Sequence, residues 1–326
     1  MPLSEFDIIA RYFAQATPGR DDVVLGIGDD AAVIDPPAGQ QLAVVIDTLV
    51  AGVHFPLETD PYDIGWKALA VNLSDLAAMG AEPAWLTLAL TLEQSDEQWL
   101  AGFSRGLSEL AGQYGLQLVG GDTTRGSLTV TVQVAGYLPP GQALTRQGAA
   151  PGEEIWVSGT LGDAALGLRL VQGGLEAGDS AAEQLCGRLN RPQPRLSLGI
   201  ALRGMASSCI DISDGLLADL GHVCAAADCG AALQYADLPL SSAARDLIAA
   251  DSGLGDLPLI GGDDYELCFT APADRHTDIQ VLAGQLDCPL TRIGRIEVEP
   301  GIRCLEQDGS PRSVTGQGYR HFNESS

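Results

Sequence analysis

Six stretches of this chain place an aspartate beside glycine, at the end of an apolar run or on the inner face of a helix. They hold Asp29 and Asp30 among the glycines of 26–30, then Asp47, Asp75, Asp122 behind Gly120 and Gly121, Asp211 with Asp214, and Asp263 with Asp264 behind Gly261 and Gly262. A single Gly-Asp pair reads as an ordinary turn. The recurrence does not, because a carboxylate drawn away from water needs a compensating charge. The chain is therefore expected to alternate strands and helices that carry these carboxylates to element ends.

The apolar run 42–46 suits a buried strand, with Asp47 at its carboxyl end. A helix is expected over 61–79, with Asp60 as cap and Pro61 in the first turn, before Gly80. Its Ala68, Asn72, Asp75 and Met79 share one face, which turns Asp75 inward. A second helix begins at a capping box of Ser95 and Gln98, carries an apolar stripe of Leu100, Phe103, Leu107, Leu110 and Tyr114, and stops at Gly115. The strand 116–119 then opens into Gly120, Gly121 and Asp122. Further on, a strand at 155–158 precedes Gly159 and Gly162, and residues 209–214 lead into an amphipathic helix over 216–227. A turn-rich stretch, 139–152, follows the alternating strand 128–134 and divides the chain into domains at 1–150 and 151–326. The expected fold class is α/β and α+β, in two domains.

At 326 residues each half is large enough to bury its own core. Hydrophobic residues make up 45% of the sequence, yet the longest apolar stretch, 84–92, is too short to cross a bilayer. The first residues lack the basic and apolar regions of a secretory signal, so a soluble, cytoplasmic protein is expected. Seven cysteines, all between Cys186 and Cys304, show neither a CxxC pair nor zinc spacing and read as reduced, mostly buried thiols. The formal charge of −25 disfavours direct binding of nucleic acid or anionic membranes. The single lysine, Lys67, lies in neither a P-loop nor a VAIK strand, so any ATP must be met by metals and arginines.

Hard oxygen ligands in this number suit magnesium, which bridges a few carboxylates to substrate phosphates. Glycines beside them let the backbone approach those phosphates. A zinc hydrolase is excluded by the absence of HxxxH and HExxH, and a serine hydrolase of the elbow type by the absence of GxSxG. His54 follows the Asp47 strand closely; it reads equally as a loop histidine or as a ligand in the same cleft.

Several of these stretches, taken together, resemble the bacterial thiamine-monophosphate kinase family, within the superfamily of aminoimidazole ribonucleotide synthetase. They are the 26–30 run, 47–55 with its His54, 67–80 with Asn72 and Asp75, 120–126, Arg146 in Leu-Thr-Arg, and 211–215. The resemblance implies a two-domain fold whose N-terminal sheet domain pairs in a homodimer, and a C-terminal α+β domain closing over ATP. Carried over by position, it implies magnesium at Asp30, Asp47, Asp75, Asp122, Asp211 and Asp214. It implies ATP contacts from Asp30, Gly121, Asp122, Arg146 and Ser213, and thiamine phosphate contacts from His54, Asp263 and Tyr319. The same carry-over casts Asp30, Asp47, Asp75, Asp122 and Arg146 as the catalytic set. The chain departs from the family pattern at two places: Val45 and Ile46 stand where hydroxyl residues are common, and Asp263 stands where glutamate is usual.

The expected activity is transfer of the γ-phosphoryl group of ATP to the phosphate of thiamine monophosphate, by positioning and charge neutralisation. A guanidinium stays charged and binds two oxygens at once, which makes Arg146 the natural phosphate clamp, a surface ion pair being its alternative. Tyr319 is either a ring for the cationic substrate to stack on or a packed terminal tyrosine. The rivals are another ATP-using member of the superfamily and a non-catalytic nucleotide- or thiamine-binding regulator.

Overall fold

A computed structural model describes residues 3–316 and 318. The chain divides into two units, one of residues 1–76 and 81–143, the other of 77–80 and 144–326.

The first unit begins with a short helix α1 (Glu5–Ile8) and a small β1 (Val23–Leu25), β2 (Val33–Ile34) pair. Its main sheet runs in the order β3 (Gln41–Val50), β6 (Thr129–Leu138), β4 (Glu82–Leu92), β5 (Gln117–Arg125), antiparallel except for β4 beside β5. Helices α2 (Pro61–Ala78) and α3 (Glu97–Gln113) supply its helical layer. In β4 the alternation buries Ala84, Leu86, Leu88, Leu90 and Leu92, while α3 buries Leu100, Phe103, Leu107 and Leu110 completely. Each such leucine or phenylalanine contributes about 1.5–3 kcal/mol by leaving water.

Four local expectations shift. The N-cap of α3 is Asp96, whose carboxylate accepts from the amides of Gln98 and Trp99, so Ser95 lies one residue outside the helix. Helix α2 ends at Ala78, which leaves Met79 37% exposed rather than on the buried face of Ala68 and Asn72. Strand β3 is an edge strand, with Leu42, Val44 and Ile46 exposed at 48%, 54% and 61%, and it continues three residues beyond Asp47. Gly120 and Gly121 lie inside β5 rather than after it. A bulge between the partners of Leu86 and Thr87 precedes them. A Cβ on Gly121 would stand 1.9 Å from the Leu88 carbonyl oxygen, so glycine is what lets the two strands approach there.

The second unit is built on a sheet ordered β12 (Gly301–Leu305), β9 (Gly230–Gln234), β11 (Leu290–Glu297), β7 (Glu154–Ser158), β10 (Leu267–Ala271), β8 (Ser208–Asp211). Only β12 beside β9 is parallel. Its helices are α4 (Asp163–Val171), α5 (Asp179–Asn190), α6 (Leu196–Ala201), α7 (Leu216–Ala227), α8 (Ser242–Ala250), α9 (Leu257–Ile260) and α10 (His276–Leu286). The core joins Ile155, Val157, Ile210 and Ile293 of the sheet to Leu216, Leu220 and Val223 of α7. No helix among the described residues is long and apolar enough to cross a membrane. Six of the cysteines are buried and Cys186 is half-buried; all seven are free thiols.

Candidate active site

In the first unit Asp47 lies mid-strand on β3, opposite Val132 of β6. Burial raises its pKa, while a hydrogen bond with the Asp75 carboxyl of α2 and the nearby His54 act in the opposite sense. Two carboxyl groups this close cannot both be ionised at low cost unless a cation stands between or beside them. Asn72 lies one turn before Asp75 on α2; its amide nitrogen donates to the Ala68 carbonyl over 3.0 Å and its carbonyl oxygen is buried without a partner among the described residues. A paired acid and an unmet oxygen acceptor on one helix are a donor set that fits a hydrated magnesium ion.

His54 sits in the turn after β3. Its amide donates to the Val50 carbonyl over 3.0 Å, and the Val50 amide donates to His54 Nδ1 over 2.9 Å. With Nδ1 accepting, the proton of the neutral ring is on Nε2. Asp30 is exposed in the loop before β2, and its amide donates to Oδ1 of Asp29 over 2.8 Å, so the Asp29 side chain is already engaged with the loop backbone. Gly121 and Asp122 are exposed on β5, opposite Leu88 and Ala89. A cavity of about 550 Å³ adjoins the end of β5, at Thr123, Thr124 and Arg125, but no residue carried over from the family lines it.

In the second unit Asp211 is the last residue of β8 and is 4% exposed. Beyond it the amides of Ser213, Asp214 and Gly215 all donate to Oδ2 of Asp219, over 3.0, 3.0 and 3.1 Å. Burial, reinforced by the charges of Asp211 and Asp214, raises the Asp219 pKa to about 7 against the pull of those amides. The 261–265 turn is bonded to this segment: the Asp263 amide donates to the Ser213 carbonyl over 2.9 Å and the Tyr265 amide to the Ile212 carbonyl over 2.8 Å. A Cβ on Gly262 would meet the Ser213 carbonyl oxygen at 2.5 Å, which explains the glycine.

Asp263 and Tyr265 both take left-handed backbone angles, φ 70° and 49°. The other described non-glycine residues with positive φ, Asp228 and Asp287, simply close helices α7 and α10. Away from a helix end such a conformation costs about 1–3 kcal/mol per residue and persists where surrounding bonds hold it. Between the two, Asp264 is buried, accepts from the Gly162 amide over 2.8 Å, and is pushed up by burial to a pKa of about 8. Glu266, fully buried, meets Arg188 and Arg195 at 2.6 and 2.5 Å and the Ser158 hydroxyl at 2.5 Å.

Arg146 is exposed in the loop following β6, with no carboxylate in ion-pair contact among the described residues. Tyr319 lies outside the described residues. No three His, Cys, Asp or Glu side chains among the described residues form a ready-made metal cluster.

Residues 28–138 match the family described as AIR synthase related protein, N-terminal domain, and 150–305 match AIR synthase related protein, C-terminal domain. Over 323 residues the chain is 50% identical to the thiamine-monophosphate kinase of Escherichia coli K12, covering 99% of both proteins. The chain belongs to the thiamine-monophosphate kinase family. It is 34% identical to the Bacillus subtilis member, over 98% of this chain and all of that protein. The solved thiamine-monophosphate kinase of Stenotrophomonas maltophilia superimposes with a TM-score of 0.87 at 51% identity, covering 96% of this chain and 99% of that one. A second structure, described as AaThiL complexed with AMPPCP and TMP, superimposes with a TM-score of 0.78 at 31% identity, over 91% and 92% of the two chains.

Within this kinase family fold, sequence reasoning passed over Asp219 and Tyr265. Asp219 organises the 213–215 backbone from the first turn of α7, and an acidic residue shortly after a glycine-ended loop was the available signal. Tyr265 carried no signal, since nothing in a tyrosine announces a left-handed backbone.

Proposed function

We propose that this chain transfers the γ-phosphoryl group of ATP directly to the phosphate of thiamine monophosphate, giving thiamine diphosphate and ADP. The observation that carries the reading is the Asp47–Asp75 carboxyl pair, in a chain half-identical from end to end to thiamine-monophosphate kinases. A protein of formal charge −25 that gathers carboxylates around polyphosphate substrates needs cations. We assign magnesium to Asp30, Asp47, Asp75 and Asp122 in the first unit and to Asp211 and Asp214 in the second. The ion supplies charge neutralisation for the phosphates.

The chain's own groups bind and orient. Gly121, Asp122, Arg146 and Ser213 are assigned to ATP, with Arg146 as the clamp whose guanidinium is open to phosphate oxygens. His54 and Asp263 are assigned to thiamine monophosphate, together with Tyr319. A phosphate monoester has a second pKa of about 6, so at neutral pH the acceptor already carries its attacking oxygen and no general base is required. His54 fits this, because its Nε2–H can donate to an anionic oxygen and has no lone pair with which to take a proton.

The exposed apolar row Leu42, Val44, Ile46 on edge strand β3 suits a second copy of the chain, so we assign the protein as a homodimer. Seven free thiols fit a reducing compartment, and we place the enzyme in the cytoplasm. Purified protein given ATP, magnesium and thiamine monophosphate is expected to form thiamine diphosphate and ADP in equal amounts. Hydrolysis of ATP without thiamine diphosphate would contradict the reading.

A further inference from the structure

The Tyr265 hydroxyl donates to Oδ1 of Asp263 over 3.1 Å. This bond links two residues that both hold left-handed backbone angles around a buried Asp264, in a turn tied by two amide hydrogen bonds to the carbonyls of Ile212 and Ser213. Tyr265 itself is 9% exposed, so its ring is fixed by packing while its hydroxyl is aimed at a half-buried carboxylate. A tyrosine in this backbone conformation is the less expected choice where asparagine or glycine would sit more easily. The side chain supplies two things those residues lack, a buried ring and a hydroxyl that reaches Asp263.

We propose that Tyr265 is a positioning residue for substrate binding: its hydroxyl sets the rotamer of Asp263, so that the carboxylate is held ready for the thiamine half of thiamine monophosphate. A carboxylate has about four acceptor positions, so accepting from Tyr265 does not by itself saturate it. The short stem of Asp263 lets a neighbour two residues away steer it. The inference rests on the assignment of Asp263 to the substrate.

The test is a double-mutant cycle of Tyr265→Phe and Asp263→Asn, read as KM for thiamine monophosphate, KM for ATP, and kcat. The phenylalanine keeps the ring and the amide bond to Ile212, so only the hydroxyl is lost. Tyr265→Phe is expected to raise KM for thiamine monophosphate about five- to twentyfold with KM for ATP unchanged, and to add less than about twofold in the Asp263→Asn background. An unchanged KM in Asp263→Asn would overturn the substrate assignment and the proposal with it. A raised KM in Asp263→Asn with none in Tyr265→Phe would overturn the positioning role alone. So would fully additive effects, or an equal rise in KM for ATP.

Discussion

The Val50 amide donates to His54 Nδ1 over 2.9 Å, and this one bond decides which ring nitrogen carries the proton. A histidine held with Nε2–H is a donor. Replacing it by glutamine is expected to raise KM for thiamine monophosphate about ten- to a hundredfold, the value of one hydrogen bond to a charged group, with kcat little changed. A fall in kcat of about a thousandfold at unchanged KM would mean that His54 accepts a proton after all.

Asp47 shares a hydrogen bond with Asp75, and Asp122 stands exposed on β5 after a strand approach that only glycine permits. Asp47→Asn and Asp122→Asn are each expected to abolish turnover with the fold retained, and a chelator is expected to do the same to the parent protein until magnesium is restored. Activity within about threefold of the parent in both variants at saturating magnesium would refute the assignment.

Strand β3 turns Val44 and Ile46 outward at 54% and 61% exposure on a sheet edge. Sedimentation at micromolar concentration is expected to give a dimer, and Val44→Asp with Ile46→Lys a monomer. A monomeric parent protein would contradict this.

Asp264 links pH to stability. Its pKa rises from 3.8 to about 8 through burial, so the folded state holds a proton that the unfolded chain releases. The contribution is full below about pH 4 and is lost as pH rises through about 8. Asp264→Asn retains an acceptor for the Gly162 amide and is expected to shrink the fall in Tm between about pH 5 and pH 9. An unaltered pH dependence would show that another group governs it.

The helix–strand alternation was readable from local patterns: the Pro61 start of α2, the apolar stripe of α3 and the strand leading to Asp211 all follow side-chain periodicity. What periodicity does not carry is whether a strand has a neighbour. The run 42–46 is apolar enough for a buried strand but forms a sheet edge, pairing only with β6 among the described residues and exposing Leu42, Val44 and Ile46. Gly120 and Gly121 looked like a loop because glycine weakens strands, yet both lie within β5, and the close approach of β4 requires glycine at 121. The carboxylates assigned to metal were legible as a recurrence. The groups that hold the site in shape, Asp219 beneath the 213–215 amides and Tyr265 beside Asp263, depend on contacts no local pattern encodes.

Direct transfer to a phosphate nucleophile is tested by following that oxygen. Thiamine monophosphate labelled with ¹⁸O in its non-bridging phosphate oxygens is incubated with ATP and magnesium, and the product is read by the isotope shift in phosphorus NMR. The expected result is ¹⁸O in the bridge between the two phosphorus atoms of thiamine diphosphate, with unlabelled thiamine giving no product under the same conditions. An unlabelled bridge, or phosphorylation of thiamine itself at a comparable rate, would contradict the account.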